Sequence, residues 1–225
     1  PANWRGFLCL VFAHICDYNV VTIQAIGAST MELKVSTMTG KMQHIPAINT
    51  NTLTNPFCVK MHDSENPNNI CVHCYSHDML NWHRKSCAPA WQRNSDLLSA
   101  SVLSDDQIPV INSHSFRFHG HGELINLTHF INFCRIARKN PKCTFALWTK
   151  RRDIGLSVRP DNLILIYSNP TIDKVMHKPP VGFDKVFNNT SSLTKADNCS
   201  GRKCIECLKC YRLDSGVDVI IEKVK

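Results

Sequence analysis

Residues 115–149 read SFRFHGHGELINLTHFINFCRIARKNPKCTFALWT and carry the clearest periodic pattern in the chain. Residues 115–119 alternate in polarity, which is typical of a strand, and the glycines at 120 and 122 predict a turn. Apolar residues recur at helical spacing from 124 to 139, until Asn140-Pro141 ends the helix before a second strand at 143–149. This order predicts a βαβ unit with parallel strands and a right-handed crossover.

The flanking segments extend this unit into an α/β fold. Residues 163–167 predict a third strand, residues 76–84 and 89–103 predict helices, and residues 31–55 predict a short strand followed by loops. We expect the α/β domain to span residues 31–194. Residues 195–225 are expected to form a cysteine-rich appendage, with a closing strand at 217–224.

The composition limits the class of protein. The chain of 225 residues is 43% hydrophobic and 20% charged, which is the ordinary globular range. No stretch approaches the roughly 18 consecutive apolar residues of a membrane span, so the sequence argues against a membrane protein, a disordered chain or a fibre. The formal net charge of +8 permits a polyanionic partner such as nucleic acid without requiring one.

The first thirty residues are predicted to be extraneous to the functional chain or poorly ordered. The sequence opens with Pro1 and has no methionine before Met31. Residues 6–13 are apolar, but Arg5 alone precedes them and no clean small-residue cleavage site follows, so they match a signal peptide poorly. We therefore expect the functional chain to begin near Met31.

Cysteine is the most informative residue type, because most of the 12 cysteines fall in two tight groups. Disulfide-stapled secreted domains are usually shorter and have their cysteines spread along the chain. Clusters with gaps of two residues are instead typical of metal or iron–sulfur ligation in a reducing compartment, which predicts a cytoplasmic location. The first cysteine group is Cys58, Cys71 and Cys74, and the tail cysteine group is Cys199, Cys204, Cys207 and Cys210.

The tail cysteine group has the spacing Cys199-x4-Cys204-x2-Cys207-x2-Cys210. A gap of two residues folds a tight loop whose backbone amides face the sulfurs, so four thiolates can converge on one inorganic centre. The run of short gaps favours an iron–sulfur cluster. A tetrahedral zinc site and ordinary thiols stay open as alternatives.

The first cysteine group has three members, which leaves a four-coordinate centre one protein ligand short. An open iron could then bind a substrate or a cofactor. Alternatively, a fourth side chain closes a structural zinc site, and the candidates are His73, His77 and Cys87.

The segment His119-Gly-His-Gly-Glu123 follows a predicted parallel strand. Ligands bind at the carboxyl ends of such strands, and glycines let the backbone approach a ligand closely. We therefore predict that Gly120, Gly122 and Glu123 bind a cofactor, with Glu123 accepting from an ammonium or hydroxyl group. The alternatives are that His119 and His121 are exposed turn residues and that Glu123 caps the following helix.

A basic trio, Lys150-Arg-Arg152, follows the next predicted strand. It could meet a phosphate or carboxylate, which makes Lys150 a further candidate for cofactor binding, with a solvated loop as the alternative. Residues 167–169, Tyr-Ser-Asn, end the third strand at an equivalent level and are a weaker candidate.

Five short motifs, taken in order, resemble the phage gene product 88-like family. The resemblance covers the chain from about Met31 to Cys210 and implies a phage-encoded protein in the host cytoplasm. The motifs are KVSTMTGK at 34–41, NPFC at 55–58, CVHCY at 71–75, RFHGHGE at 117–123 and FALWTK at 145–150.

The chain is also distantly similar to radical S-adenosylmethionine enzymes, which fold as partial parallel (β/α) barrels. In those enzymes three cysteines hold a [4Fe–4S] cluster whose fourth iron binds the methionine part of the cofactor. The first cysteine group resembles that trio, although its first gap is x12 rather than x3. Gly122-Glu123 resembles the pair that receives the cofactor's amino group, and Thr149-Lys150 resembles a strand-end motif of the phage and spore-repair enzymes.

Two hypotheses follow. In the first, the protein is an iron–sulfur enzyme of the radical type that carries one or two [4Fe–4S] clusters, binds S-adenosylmethionine and acts on a substrate that the sequence does not identify. The tail cysteine group would then relay electrons or hold substrate. In the second, zinc or iron–sulfur stabilises a non-catalytic module that binds nucleic acid through a basic surface.

Overall fold

The computed structural model of the chain describes residues 32–155, 158–193, 195, 197–199 and 201–224. The prediction about residues 1–30 lies outside this range. Seven strands of the described chain form one sheet: β1 Val35–Ser36, β2 Ala47–Ile48, β3 Ser115–Phe118, β4 Thr144–Thr149, β5 Leu163–Ser168, β6 Lys185–Thr190 and β7 Val219–Lys223. Its α-helices are α1 Pro56–His62, α2 Tyr75–Asp78, α3 Ala88–Ala100, α4 Leu127–Lys139 and α5 Cys204–Cys207.

The strands lie side by side in the order in which the chain makes them. β1 is antiparallel to β2, and every later pair is parallel. A parallel sheet covered on both faces needs nearly continuous apolar strands, and all six residues of β5 are buried. The predicted α/β class is thus confirmed, whereas curvature of this sheet into a partial barrel stays a prediction, as does the domain division at residue 194.

The predicted βαβ unit is formed by β3, α4 and β4. The helix begins at Leu127 rather than at 124, because the Asn126 side chain caps it by accepting from the His129 backbone N–H at 3.0 Å. It ends at Lys139, and the Asn140 side chain donates to the Ile136 carbonyl at 2.8 Å. The strands on either side are parallel, as predicted.

The two faces of the sheet carry different layers, because successive side chains of a strand point in opposite directions. On one face, α3 and α4 cover the main core, where Phe118 stacks between Phe133 and Phe145 with ring centroids 3.9 and 4.9 Å away. On the other face, Trp148 and Ile164 pack against Tyr211 of the tail. The tail therefore covers the face that the long helices leave open.

The predicted helix at 76–84 is shorter than expected. The α2 helix ends at Asp78 and continues as a wide π turn over Met79–His83. Met79 and Leu80 are buried against Trp91 in this turn. Their packing therefore favours the wider turn over a regular continuation of the α-helix.

Candidate functional site

Asn55 fixes the helix that carries Cys58. Its side-chain oxygen accepts from the backbone N–H groups of Phe57 and Cys58 at 3.0 and 3.4 Å, which caps α1. Its side-chain amide donates to the carbonyl of Glu123 at 2.9 Å. Cys58 is thereby attached to the segment that leaves β3.

Asn69 positions Cys71 in the same way. Its side-chain oxygen accepts from the Cys71 backbone N–H, and its amide donates to the Met61 carbonyl near the end of α1, both at 3.0 Å. The Ile70 N–H donates to the carbonyl of Pro170, just beyond β5, at 2.8 Å. The x12 gap is therefore a loop that returns to α1 and to the strand ends.

The first cysteine group lines one cavity of about 250 Å³ at the carboxyl ends of the central strands. His77 also lines it, and its ring stacks on His62 with centroids 3.8 Å apart. Of the three alternative fourth ligands, only His77 reaches this cavity. Polar side chains complete its wall: Thr52, Ser76, Arg117, His121, Ser168 and Asn189.

Lys150 places a buried positive charge among these thiols. Burial opposes that charge, but Cys71, Glu123, Cys74 and Cys58 outweigh it and raise the pKa of Lys150 above its ordinary value. Its ammonium lies 3.1 Å from the Ser168 hydroxyl. Burial raises the pKa of the Cys71 thiol above its ordinary value, and the positive charge of Lys150 opposes part of that rise.

Glu123 is a buried anchor that joins the ends of β3 and β4. Its carboxylate accepts from the Leu124 N–H at 2.8 Å, the Thr149 hydroxyl at 2.5 Å and the Lys150 N–H at 2.7 Å. Burial raises the pKa of Glu123, while Lys150 and these donors oppose the shift. The alternative in which Glu123 caps the next helix is wrong, because Asn126 occupies that position.

The two glycines of this segment make room for protein atoms. Gly122 has a φ of +112°, and a Cβ atom there would lie 2.0 Å from the Thr50 hydroxyl oxygen. A Cβ atom on Gly120 would lie 2.7 Å from the Asn49 side-chain oxygen. Both glycines line the cavity, but the space left by their missing side chains is occupied by the loop after β2.

The two histidines beside them are not exposed turn residues. His119 is buried, and burial lowers its pKa to about 3. His121 is half-buried with its ring stacked on Trp91 at 4.8 Å, and burial lowers its pKa to about 4. Its Nδ1 lies 2.6 Å from the Ser76 hydroxyl. Both rings are therefore neutral at neutral pH and add no charge to the cavity.

The three side chains of the basic trio do not face one common site. Lys150 faces the cavity, whereas Arg151 pairs with Asp153 at 2.7 Å and donates to the Leu124 carbonyl. Arg152 lies over the ring of Tyr167, 5.6 Å from its centroid. Ser168 of the Tyr-Ser-Asn segment does line the cavity.

The tail cysteine group lines a second cavity of about 290 Å³. Cys204 and Cys207 lie on α5, and Cys210 lies in the following turn, Lys209–Tyr211. The Lys41 ammonium bridges this group to the sheet, 2.8 Å from the Cys199 sulfur and 2.5 Å from a carboxylate oxygen of Glu222 on β7.

Among the residues that the structure describes, no three or more His, Cys, Asp or Glu side chains are arranged to hold a metal ion, and the cysteines of both groups are free thiols. No helix in the described ranges is both long and apolar enough to cross a bilayer.

Comparison with known proteins identifies one family. No curated protein and no solved structure matches the chain. The family model described as gene product 88 matches residues 30–198. This range includes the first cysteine group, Gly120, Gly122, Glu123 and Lys150, and it ends one residue before Cys199. Because the match spans most of the sequence, the chain belongs to the gene product 88 family.

Proposed function

We propose that this protein is an iron–sulfur enzyme of the radical S-adenosylmethionine type, with a [4Fe–4S] cluster ligated by Cys58, Cys71 and Cys74. The observation that carries the proposal is the placement of these three cysteines around one cavity, with the buried Lys150 ammonium close enough to interact electrostatically with all three. Twelve residues separate Cys58 from Cys71 in the sequence, yet two capping asparagines direct both into this cavity.

The donor set fits the group. Thiolates are the usual ligands of iron–sulfur clusters, and three of them leave one iron without a protein ligand. A cubane cluster also spreads its thiolates over several irons, so each cysteine needs to reach only one of them. A zinc site would need a fourth side chain, and His77 lines the same cavity.

The side chains of the cavity have separate parts in this function. Such a cluster, when bound, supplies one electron to S-adenosylmethionine. Lys150 balances the negative charge of the thiolates and offers an ammonium to the cofactor's carboxylate. Glu123 holds the strand ends in place and offers its less occupied oxygen, Oε2, to the cofactor's amino group. Ser76, Ser168 and Asn189 supply uncharged polar contacts in the wall.

The test is anaerobic reconstitution with ferrous iron and sulfide. We expect a brown protein with a thiolate-to-iron absorption near roughly 400 nm, whose reduced electron paramagnetic resonance (EPR) spectrum changes when S-adenosylmethionine is added. Cys74→Ala should abolish that change. Cys87→Ala is the matched control, because Cys87 is half-buried and lies outside the cavity.

Two results would contradict the proposal. One is stoichiometric zinc with negligible iron after reconstitution, which favours a structural module. The other is a wild-type spectrum that does not respond to S-adenosylmethionine.

A further inference from the structure

The two cysteine groups lie on the same face of the sheet. Side chains of alternating strand positions form this face, and Trp148 belongs to it together with Ala146 and Ile164. Tyr211, Cys204 and Cys210 of the tail pack onto the same layer. Trp148 also lines the cavity of the first cysteine group, so one residue faces both regions.

Arg117 and Trp148 form the wall between them. The Arg117 guanidinium lies 3.7 Å above the Trp148 ring, and both side chains line the first cavity. Trp148 also contacts Tyr211, with ring centroids 5.9 Å apart. Tyr211 in turn lines the cavity of the tail cysteine group. A single chain of side-chain contacts therefore leads from one cavity to the other.

The tail cysteine group has cationic neighbours. The Lys41 ammonium lies 2.8 Å from the Cys199 sulfur, and Arg117 is close enough to Cys204 and Cys210 to act on both electrostatically. Four thiolates with cationic neighbours match the ligand set of a closed [4Fe–4S] cluster, in which every iron has a protein ligand.

We propose that the tail cysteine group holds a second iron–sulfur cluster, connected to the first site by the contacts of Arg117, Trp148 and Tyr211. The contacts of the tail cysteine group support a cluster there independently, whereas the closeness of that cluster to another one rests on the proposed function. Zinc is the competing occupant, because four thiolates are also a common ligand set of structural zinc. The run of short gaps between the tail cysteines favours the cluster.

Iron content tests the occupant in the full chain. The wild type should carry the iron and sulfide of two clusters. Cys207→Ala and Cys74→Ala should each retain about half of that iron, because each removes one cluster and leaves the other. The wild-type iron count does not depend on whether a variant folds, so it decides the question even if Cys207→Ala precipitates.

The outcomes separate the two proposals. A wild type with one cluster's iron that Cys74→Ala removes, or zinc bound at the tail, would overturn the second cluster and leave the proposed function intact. A wild type with one cluster's iron that Cys207→Ala removes and Cys74→Ala retains would overturn the proposed function and leave the tail cluster intact.

EPR tests the separation of the sites. Two reduced clusters whose sites are connected through Trp148 and Tyr211 should couple magnetically, so the wild-type spectrum should be broader than the sum of the two single-variant spectra. If the wild-type spectrum equals that sum, the proposed neighbourhood of the two clusters is wrong.

Discussion

The side chain of Asn55 donates to the backbone carbonyl of Glu123 at 2.9 Å, and this bond joins the Cys58 helix to the end of β3. The same side chain caps α1, so one buried amide controls both the start of the helix and its position.

Asn55→Ala should reduce both stability and iron retention. Loss of the cap costs about 0.5–2 kcal/mol, and the buried carbonyl of Glu123 loses its donor. Chemical denaturation of the metal-free protein measures the first effect, and iron analysis after reconstitution measures the second. Asn126→Ala is the matched control, because it removes the cap of α4 far along the chain from the cysteines. Equal iron loss in both variants would refute a positioning role for Asn55.

Gly122→Ala should destabilise the fold by about 2–4 kcal/mol. The added methyl group would lie 2.0 Å from the Thr50 hydroxyl, and the backbone at φ +112° is strained for any residue with a Cβ atom. Gly155→Ala is the control, because no atom of the described residues lies within 4 Å of the position that its Cβ atom would take. Thermal unfolding followed by circular dichroism compares them, and similar melting temperatures would show that the close contact is relieved elsewhere.

Acid should destabilise the protein through its buried histidines. Burial holds the pKa of His129 well below its ordinary value in the folded state, whereas the unfolded chain takes up the proton near pH 6.5. The unfolded state therefore binds more protons below that pH, and stability falls by up to about 1.4 kcal/mol per pH unit for this residue. Above roughly pH 6.5 its contribution is constant.

His129→Gln should flatten that pH dependence, as measured by urea unfolding between pH 5 and pH 8, a range chosen to span roughly the ordinary histidine pKa. The exposed His83→Gln is the control. If the slope in His129→Gln equals the wild-type slope, His129 does not cause the acid sensitivity.

Lys150→Met should make the reduction potential of the first cluster more negative. Removing a buried positive charge disfavours the reduced form, which carries one more negative charge. Lys150→Arg retains the charge and should keep the potential closer to that of the wild type. Redox titration followed by EPR gives both reduction potentials. An unchanged potential in Lys150→Met would show that the lysine charge does not act on the cluster.

Glu123→Gln should affect folding as well as binding. An amide cannot accept all the hydrogen bonds from Leu124, Thr149 and Lys150, and a hydrogen bond to a charged group is worth about 1.5–3 kcal/mol. Calorimetry should show that affinity for S-adenosylmethionine falls roughly 10- to 150-fold if the same energy is lost from cofactor binding. Thr149→Val removes one of the internal bonds and serves as the control for stability alone.

The central βαβ unit could be predicted from the sequence because its apolar periods are long and regular. Strand β6 could not, because its sequence KVFNNT includes Lys185 and two asparagines, which are unusual in strands. The structure accommodates them through buried hydrogen bonds: Lys185 donates to the Val217 carbonyl at 2.6 Å, and Asn188 accepts from the Met176 N–H at 2.9 Å. Such partners lie far apart in the sequence and leave no local signal.

The candidate site was predictable only in part. The cysteines, Glu123 and Lys150 are visible as motifs at strand ends, since chemistry-bearing residue types cluster there. Asn55 and Asn69 could have been noticed as helix caps, because each stands two or three residues before a cysteine. Ser168 could also be noticed, because it ends the third predicted strand, whereas Arg117 reaches the cavity only through the pairing of β3 with β4.

The sequential order of the strands has a consequence for biosynthesis. A ribosome releases the chain from its N-terminus, and each new parallel strand can join the edge left by the one before it. The lining residues of the first cavity end at Asn189, so that cavity can be complete before Cys199 emerges. The tail then arrives last and covers the same face of the sheet. Delivery of the proposed cluster to the first cysteine group can therefore precede closure of that face, in the interval before the tail has been translated.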